Sequence, residues 1–151
     1  MRLSGQSVAQ AADINRLVHV LIVDNEEEIT DLVSFVLHRE GFRVSTASDG
    51  LSACQLIGRE RPDLILLDVL MPKLDGWEIC RMIRALPDQA MATLPIIMLS
   101  ALSSIEAQLK GLNLGANSYM TKPFVISALV AEVNRFTRKE PLPPDCSGAS
   151  M

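Results

Sequence analysis

The chain is poor in the features that announce most function classes. Its three cysteines, Cys54, Cys80 and Cys146, are odd in number and share no close ligand-type spacing, so neither a disulfide framework nor a zinc site is suggested. No apolar run approaches the ~20 residues needed to cross a bilayer, because each meets a charge, a proline or a polar residue first. The opening residues, MRLSGQSVAQAADINR, lack the continuous apolar stretch of a secretion signal, and a cytoplasmic protein is the simplest expectation. Positive charge is scarce as well. Fourteen Lys and Arg stand against 18 Asp and Glu, the net charge is −4, and the basic residues are scattered, which disfavours direct nucleic-acid binding. What is present is enough for one domain with a proper core: 151 residues, 48 % apolar and 21 % charged. No internal repeat and no second domain are found.

Between residues 18 and 139, runs rich in Val, Ile and Leu alternate with segments of helical periodicity. The strand candidates are VHVLIV (18–23), FRVSTA (42–47), DLILL (63–67), PIIML (95–99) and the weaker NSYM (117–120). The first helix is read from Ile29, Leu32, Val33, Val36 and Leu37, with Asp24 and Asn25 as cap candidates, acidic residues in its first turn and Gly41 after its last. Leu51, Cys54 and Ile57 suggest a second helix, and Ile79, Met82, Ile83 and Leu86 a third that stops before Pro87. Ser103 and Glu106 form a capping-box pattern for a fourth, expected to carry Ile105, Leu109 and Leu112 inward. The last runs from about Val125 to Lys139. Five βα units in succession imply a parallel sheet with helices on both faces, a doubly wound α/β domain over 18–139. Residues 1–17 are read as an N-terminal extension and 140–151, PLPPDCSGASM with its preceding residue, as a disordered tail.

Ligands of such folds bind beyond the carboxyl ends of the strands. The residues there are Asp24 and Asn25, Asp68, Ser100 and Lys122. Asp68 interrupts an apolar run, and an unpartnered carboxylate is costly in a low-dielectric interior. Two carboxylates brought together repel unless a cation neutralises them, and hard oxygen ligands favour Mg²⁺. With Lys122 to neutralise the transferring oxygens, Asp68 could serve as the nucleophile of a phosphoryl transfer. Each residue also has a plainer reading. Asp24 and Asn25 could cap a helix, Ser100 could end a strand, Lys122 could be solvated, and Tyr119 could be a static core aromatic. Met71-Pro72 and Asp75-Gly76 read as turns around a loop passing close to the site, and Trp77 as packing at the start of the third helix. His19 and His38 lie away from these strand ends.

Taken together, LIVDN with Asp24, LILLDVLMPKLDGWE with Asp68, PIIMLSA with Ser100 and GANSYMTKPF with Lys122 resemble the receiver domain of two-component response regulators over residues 18–139. The resemblance implies a flavodoxin-like sheet of strand order 2-1-3-4-5. It implies that Asp68 accepts phosphate from a sensor histidine kinase or phosphotransfer protein, with Mg²⁺ held by Asp68, the acidic residues after the first strand and the backbone carbonyl of Leu70. Ser100 would hydrogen-bond the phosphoryl group, Lys122 would pair with it, and Tyr119 would turn inward as Ser100 moves. The fourth helix, fifth strand and fifth helix would then meet a downstream protein or a second copy of the chain. The Lys122–Pro123 bond is expected to be cis. Such a chain is no enzyme acting on a separate substrate, although it assists its own phosphoryl transfer and dephosphorylation. Apolar Leu70, Ala101 and Leu102 near the site suggest slow self-dephosphorylation.

One departure stands out: Asn25 occupies the position where the family usually has a second acidic residue. Its amide can coordinate Mg²⁺ but brings no charge, so weaker metal binding is expected, with Glu26 either assisting or starting the helix. Asn25 supports a second reading, a pseudo-receiver that binds partners without being phosphorylated. A flavin site is disfavoured because DNEEE is acidic and has no glycine to cradle a phosphate. An aspartyl-phosphate hydrolase is disfavoured because Leu70, not an aspartate, stands two residues beyond Asp68.

Overall fold

The structure, a computed structural model, describes residues 17–137. The expected tail with Cys146, and the expected N-terminal extension apart from Leu17, lie outside them. Five strands, β1 (His19–Val23), β2 (Arg43–Ala47), β3 (Leu64–Asp68), β4 (Ile96–Ser100) and β5 (Ser118–Thr121), form one parallel sheet of order β2-β1-β3-β4-β5. Five helices connect or follow them: α1 (Glu27–Arg39), α2 (Gly50–Glu60), α3 (Gly76–Arg84), α4 (Ile105–Leu114) and α5 (Ile126–Thr137). A short helical turn, Gln89–Ala92, follows α3. The doubly wound fold expected from the alternation is therefore observed.

The three central strands are buried along their whole length, as near-continuous apolar runs must be when both faces of a parallel sheet are covered. Their side chains alternate between two cores. Leu21, Val23, Ile65, Leu67, Ile96 and Met98 pack under α2 and α3. Val20, Ile22, Leu64, Leu66, Ile97 and Leu99 pack under α1 and α5, against Val33, Leu37, Leu129 and Val133. Truncating one of these leucines to alanine costs about 2–5 kcal/mol, so the sheet is a rigid base for whatever its carboxyl edge carries.

Two local expectations are corrected at α4. The cap is Ser104, whose hydroxyl accepts from Ala107 N at 3.1 Å, not Ser103. Ile105, Leu109 and Leu112 do share one face, but that face is outward, at 73 %, 53 % and 44 % exposure. The same i, i+4, i+7 spacing fits Ala107, Gly111 and Leu114, and this stripe faces the sheet, with Gly111 buried and Leu114 packed on the core. Small residues win the inner side because the helix lies close: a Cβ on Gly111 would stand 2.8 Å from Met98 Sδ and 2.9 Å from Tyr119 Cδ2.

Candidate functional site

The register of the sheet decides which residues meet. Val23 lies level with Leu67, so Asp24 and Asp68 emerge side by side. Asp68 is level with Leu99 and Ser100 with Thr121, which brings Ser100 and Lys122 out on the next two strands at the same edge. Burial of the central strands extends to their last residues, and Asp24, Asp68 and Ser100 are each at most 3 % exposed.

Lys122 bridges the acidic groups. Its Nζ donates to Asp24 Oδ2 at 2.7 Å and to Glu26 Oε1 at 2.8 Å, and stands 3.6 Å from Asp68 Oδ2. The Lys122–Pro123 bond that follows is cis, as the resemblance implied. Asp68 Oδ1 accepts from Leu70 N at 3.3 Å. Ser100 Oγ accepts from Leu102 N at 3.1 Å, and the Leu102 carbonyl accepts from the Tyr119 hydroxyl at 2.7 Å.

The electrostatics follow from this packing. Burial and then the Asp24 carboxylate push the Asp68 carboxyl up to about 7, against the opposing pull of Lys122 and the Leu70 N–H. Burial by itself would lower Lys122, but its hydrogen bonds to Asp24 and Glu26 and the charge of Asp68 outweigh it and hold the ammonium above its ordinary value. Three carboxylates share one lysine, which leaves an excess of negative charge where hard oxygen donors converge. Asp24, Glu26 and Asp68 each offer an oxygen, all within 4.8 Å of one another. That donor set suits a hard divalent cation such as Mg²⁺, which is commonly held by one or two carboxylates and waters.

Glu26 is thus the acidic residue that reaches this cluster from the loop after β1. Its backbone N–H donates to Asp24 Oδ1 at 2.9 Å, which turns the chain so that its carboxylate lies over Lys122. Glu26 is also the residue at the N-cap of α1, although its side chain makes no capping bond, so it is both helix start and site residue. Asn25 is exposed and lines an open polar cleft of about 490 Å³ with Asp24, Glu27, Thr46 and Ser48.

Gly76 has a role that turn chemistry alone does not reveal. A Cβ there would meet the Asp68 carbonyl oxygen and stand 2.7 Å from Val69 Cα, and Gly76 N donates to Val69 O at 2.9 Å. Only glycine lets α3 start directly against the strand end that carries Asp68. The signal for it was the Asp-Gly pair eight residues past Asp68, readable as a turn but not as a steric requirement.

The model of one protein family, described as the response regulator receiver domain, matches residues 20–134. Among curated proteins, the chain is 44 % identical over 120 residues to the alkaline phosphatase synthesis transcriptional regulatory protein PhoP of Bacillus subtilis (strain 168), covering 80 % of this chain and 48 % of that protein. It is 38 % identical over 120 residues to the DNA-binding dual master transcriptional regulator RpaA of Synechocystis sp. (strain ATCC 27184 / PCC 6803 / Kazusa), covering 80 % and 49 %. The chain spans about half the length of these relatives. Among solved structures, the receiver domain of the Francisella response regulator 1452 aligns with a TM-score of 0.74 at 33 % identity, covering 80 % of this chain and 97 % of that one. The chemotaxis protein CheY4 of Vibrio cholerae aligns with a TM-score of 0.73 at 33 % identity, covering 80 % and 98 %.

Proposed function

The chain belongs to the response regulator receiver family, and from that premise we propose that it is a phosphorylation-driven signalling switch in which Asp68 is the phosphoacceptor. The observation that carries the reading is the state of Asp68: buried beside a second carboxylate, 3.6 Å from a lysine ammonium, at the carboxyl edge of the sheet. A carboxylate so stripped of water is a stronger nucleophile than a hydrated one. In the proposed step an Asp68 carboxylate oxygen attacks the phosphorus of a phosphohistidine on a sensor kinase or phosphotransfer protein. The P–N bond breaks, and the leaving imidazole takes a proton. Lys122 gives up part of its pairing with Asp24 and Glu26 to neutralise the transferred oxygens. Bound Mg²⁺ would add further neutralisation, and Asp24, Glu26 and Asp68 are the side chains that would hold it, with the Leu70 carbonyl as the backbone ligand the family resemblance implies. Glu26 restores the charge that Asn25 lacks, which favours a working receiver over the pseudo-receiver.

The chain is then its own phosphoryl acceptor and not a catalyst for a separate substrate. Ser100 turns its hydroxyl from Leu102 N to the phosphoryl oxygen, and Tyr119, bonded to the same loop, follows it. The output surface is the outer side of α4, β5 and α5, where Ile105 and Leu109 of α4 are exposed, as is Val125 just before α5; its partner is a protein, either a downstream target or a second copy of the chain. Although the relatives are named as transcriptional regulators, this chain's net charge of −4 gives no support to direct DNA contact. Among the described residues no helix is long and apolar enough to cross a membrane, and the proposed kinase partnership assigns the chain to the cytoplasm.

Intact mass after incubation with acetyl phosphate tests the proposal. A single phosphoryl adduct on the wild type, dependent on Mg²⁺ and absent from Asp68→Asn, is the expected result. No adduct under any condition would leave the pseudo-receiver as the better account.

A further inference from the structure

We infer that Trp77 of α3 is a positioning residue for Tyr119, holding its ring inward in a slot completed by Gly111 and Lys110 of α4. This rests on the reading of Ser100 and Tyr119 as the switch and extends it to residues that the site does not otherwise use. The Trp77 and Tyr119 rings stack with centroids 6.5 Å apart and planes 22° apart, within the range of favourable offset pairs. Lys110 Nζ lies 4.7 Å from the Trp77 ring centroid, a cation–π contact that ties α4 to the same indole. On the α4 side there is no Cβ to spare, since one on Gly111 would come within 2.9 Å of the Tyr119 ring. The Tyr119 ring is therefore packed on the core between α3 and α4, with its hydroxyl on the Leu102 carbonyl.

Two anchors thus hold one ring, and they respond differently to phosphorylation. The hydroxyl anchor sits on the loop that Ser100 governs through Leu102 N. The stacking anchor sits on α3, whose first residue, Gly76, is bonded to Val69 O beside Asp68. When Ser100 leaves Leu102 N, the hydroxyl anchor shifts with its loop, while Trp77 keeps a face for the ring to rest on. Trp77 accordingly sets how much of the inward orientation exists before phosphorylation. Loss of one stacking face should change the ratio of inward to outward ring by about three- to tenfold, and loss of the Lys110 cation by about two- to fivefold.

The sequence has a single tyrosine and a single tryptophan, so 3-fluorotyrosine incorporated into the full chain reports Tyr119 alone by ¹⁹F NMR. Without phosphodonor, Trp77→Ala should move the resonance towards that of free 3-fluorotyrosine, Lys110→Met should move it part of the way, and Trp77→Phe should leave it near the wild-type position. Acetyl phosphate should return the Trp77→Ala resonance towards wild type. A Trp77→Ala spectrum that superimposes on wild type would overturn the inference, as would a Trp77→Phe shift as large as that of Trp77→Ala. Far-UV circular dichroism accompanies each variant. If Trp77→Ala fails to fold, Lys110→Met on the exposed side of α4 decides: a shift supports the slot and its absence refutes it. Intact mass on the same samples separates the two readings, because a wild type that takes no phosphoryl group sinks the receiver reading while the ring comparison between unphosphorylated variants still stands.

Discussion

Asp68→Asn should make the protein more stable, and more so as the pH rises. The folded protein holds the Asp68 carboxyl at about 7 against an ordinary 3.8, first because it is buried and then because Asp24 faces it. A group whose pKa is raised by folding binds its proton more tightly in the native state, so its contribution is favourable at low pH and is lost as the pH climbs from about 4 to about 7. At pH 8 the cost of keeping Asp68 ionised corresponds to about 4 kcal/mol, and at pH 5 to under about 2 kcal/mol. The attraction of Lys122 at 3.6 Å is already contained in that balance. An asparagine of the same shape cannot ionise, so the stability gained by the variant should be larger at pH 8 than at pH 5 by about 2–3 kcal/mol. Urea denaturation of both proteins in EDTA at pH 5, 6, 7 and 8 measures this directly. Adding Mg²⁺ at pH 8 should then raise the wild type and leave the variant nearly unchanged. A variant that is less stable than wild type at pH 8, or whose difference from wild type does not vary with pH, would refute the account of Asp68 as a desolvated carboxylate held under strain for function.

Three further outcomes follow from the geometry. Gly76→Ala should destabilise by about 1–3 kcal/mol and slow labelling of Asp68, since the new methyl meets backbone atoms that cannot swing aside; a melting temperature within a degree of wild type would count against that contact. Glu26→Gln should weaken Mg²⁺ binding by about tenfold, in line with about 1–2 kcal/mol for one carboxylate near a dication in a water-like medium, and calorimetric titration showing equal affinity would remove Glu26 from the site. His19, buried with Nε2 at 2.7 Å from Ser45 Oγ, is held below its ordinary 6.5 by burial and by Arg43. A lowered folded pKa means stability present above about 6.5 and lost below it, at no more than about 1.4 kcal/mol per pH unit. His19→Asn should abolish that part of the slope between pH 7.5 and 5.5, and an unchanged slope would show that His19 does not contribute.

Sequence by itself determined the type and order of the five strands and of the five helices α1 to α5, though not the short helical turn Gln89–Ala92, and the edge where the chemistry lies. The apolar runs of β1, β3 and β4, bounded by turn residues and alternating with helical segments, read as buried parallel strands, and the polar residues that end them, Asp24, Asp68 and Ser100, face the same edge. What lay beyond reach were matters of a few ångströms and of facing. Ile105-Leu109-Leu112 and Ala107-Gly111-Leu114 satisfy one helical spacing equally, and hydrophobicity favoured the wrong stripe. Only the approach of α4 to Met98 and Tyr119 selected the small residues. Glu26 could be read as the start of a helix or as an aid to Asn25 at the metal, and the turn made by its N–H on Asp24 Oδ1 is what brings its carboxylate to Lys122, 96 residues away. The need for glycine at position 76 and the pairing of Trp77 with Tyr119 likewise arise between segments distant in the chain. Periodicity along a chain records which residues share a face. Which face is buried, and which side chains meet there, is decided by the neighbours that the fold brings in.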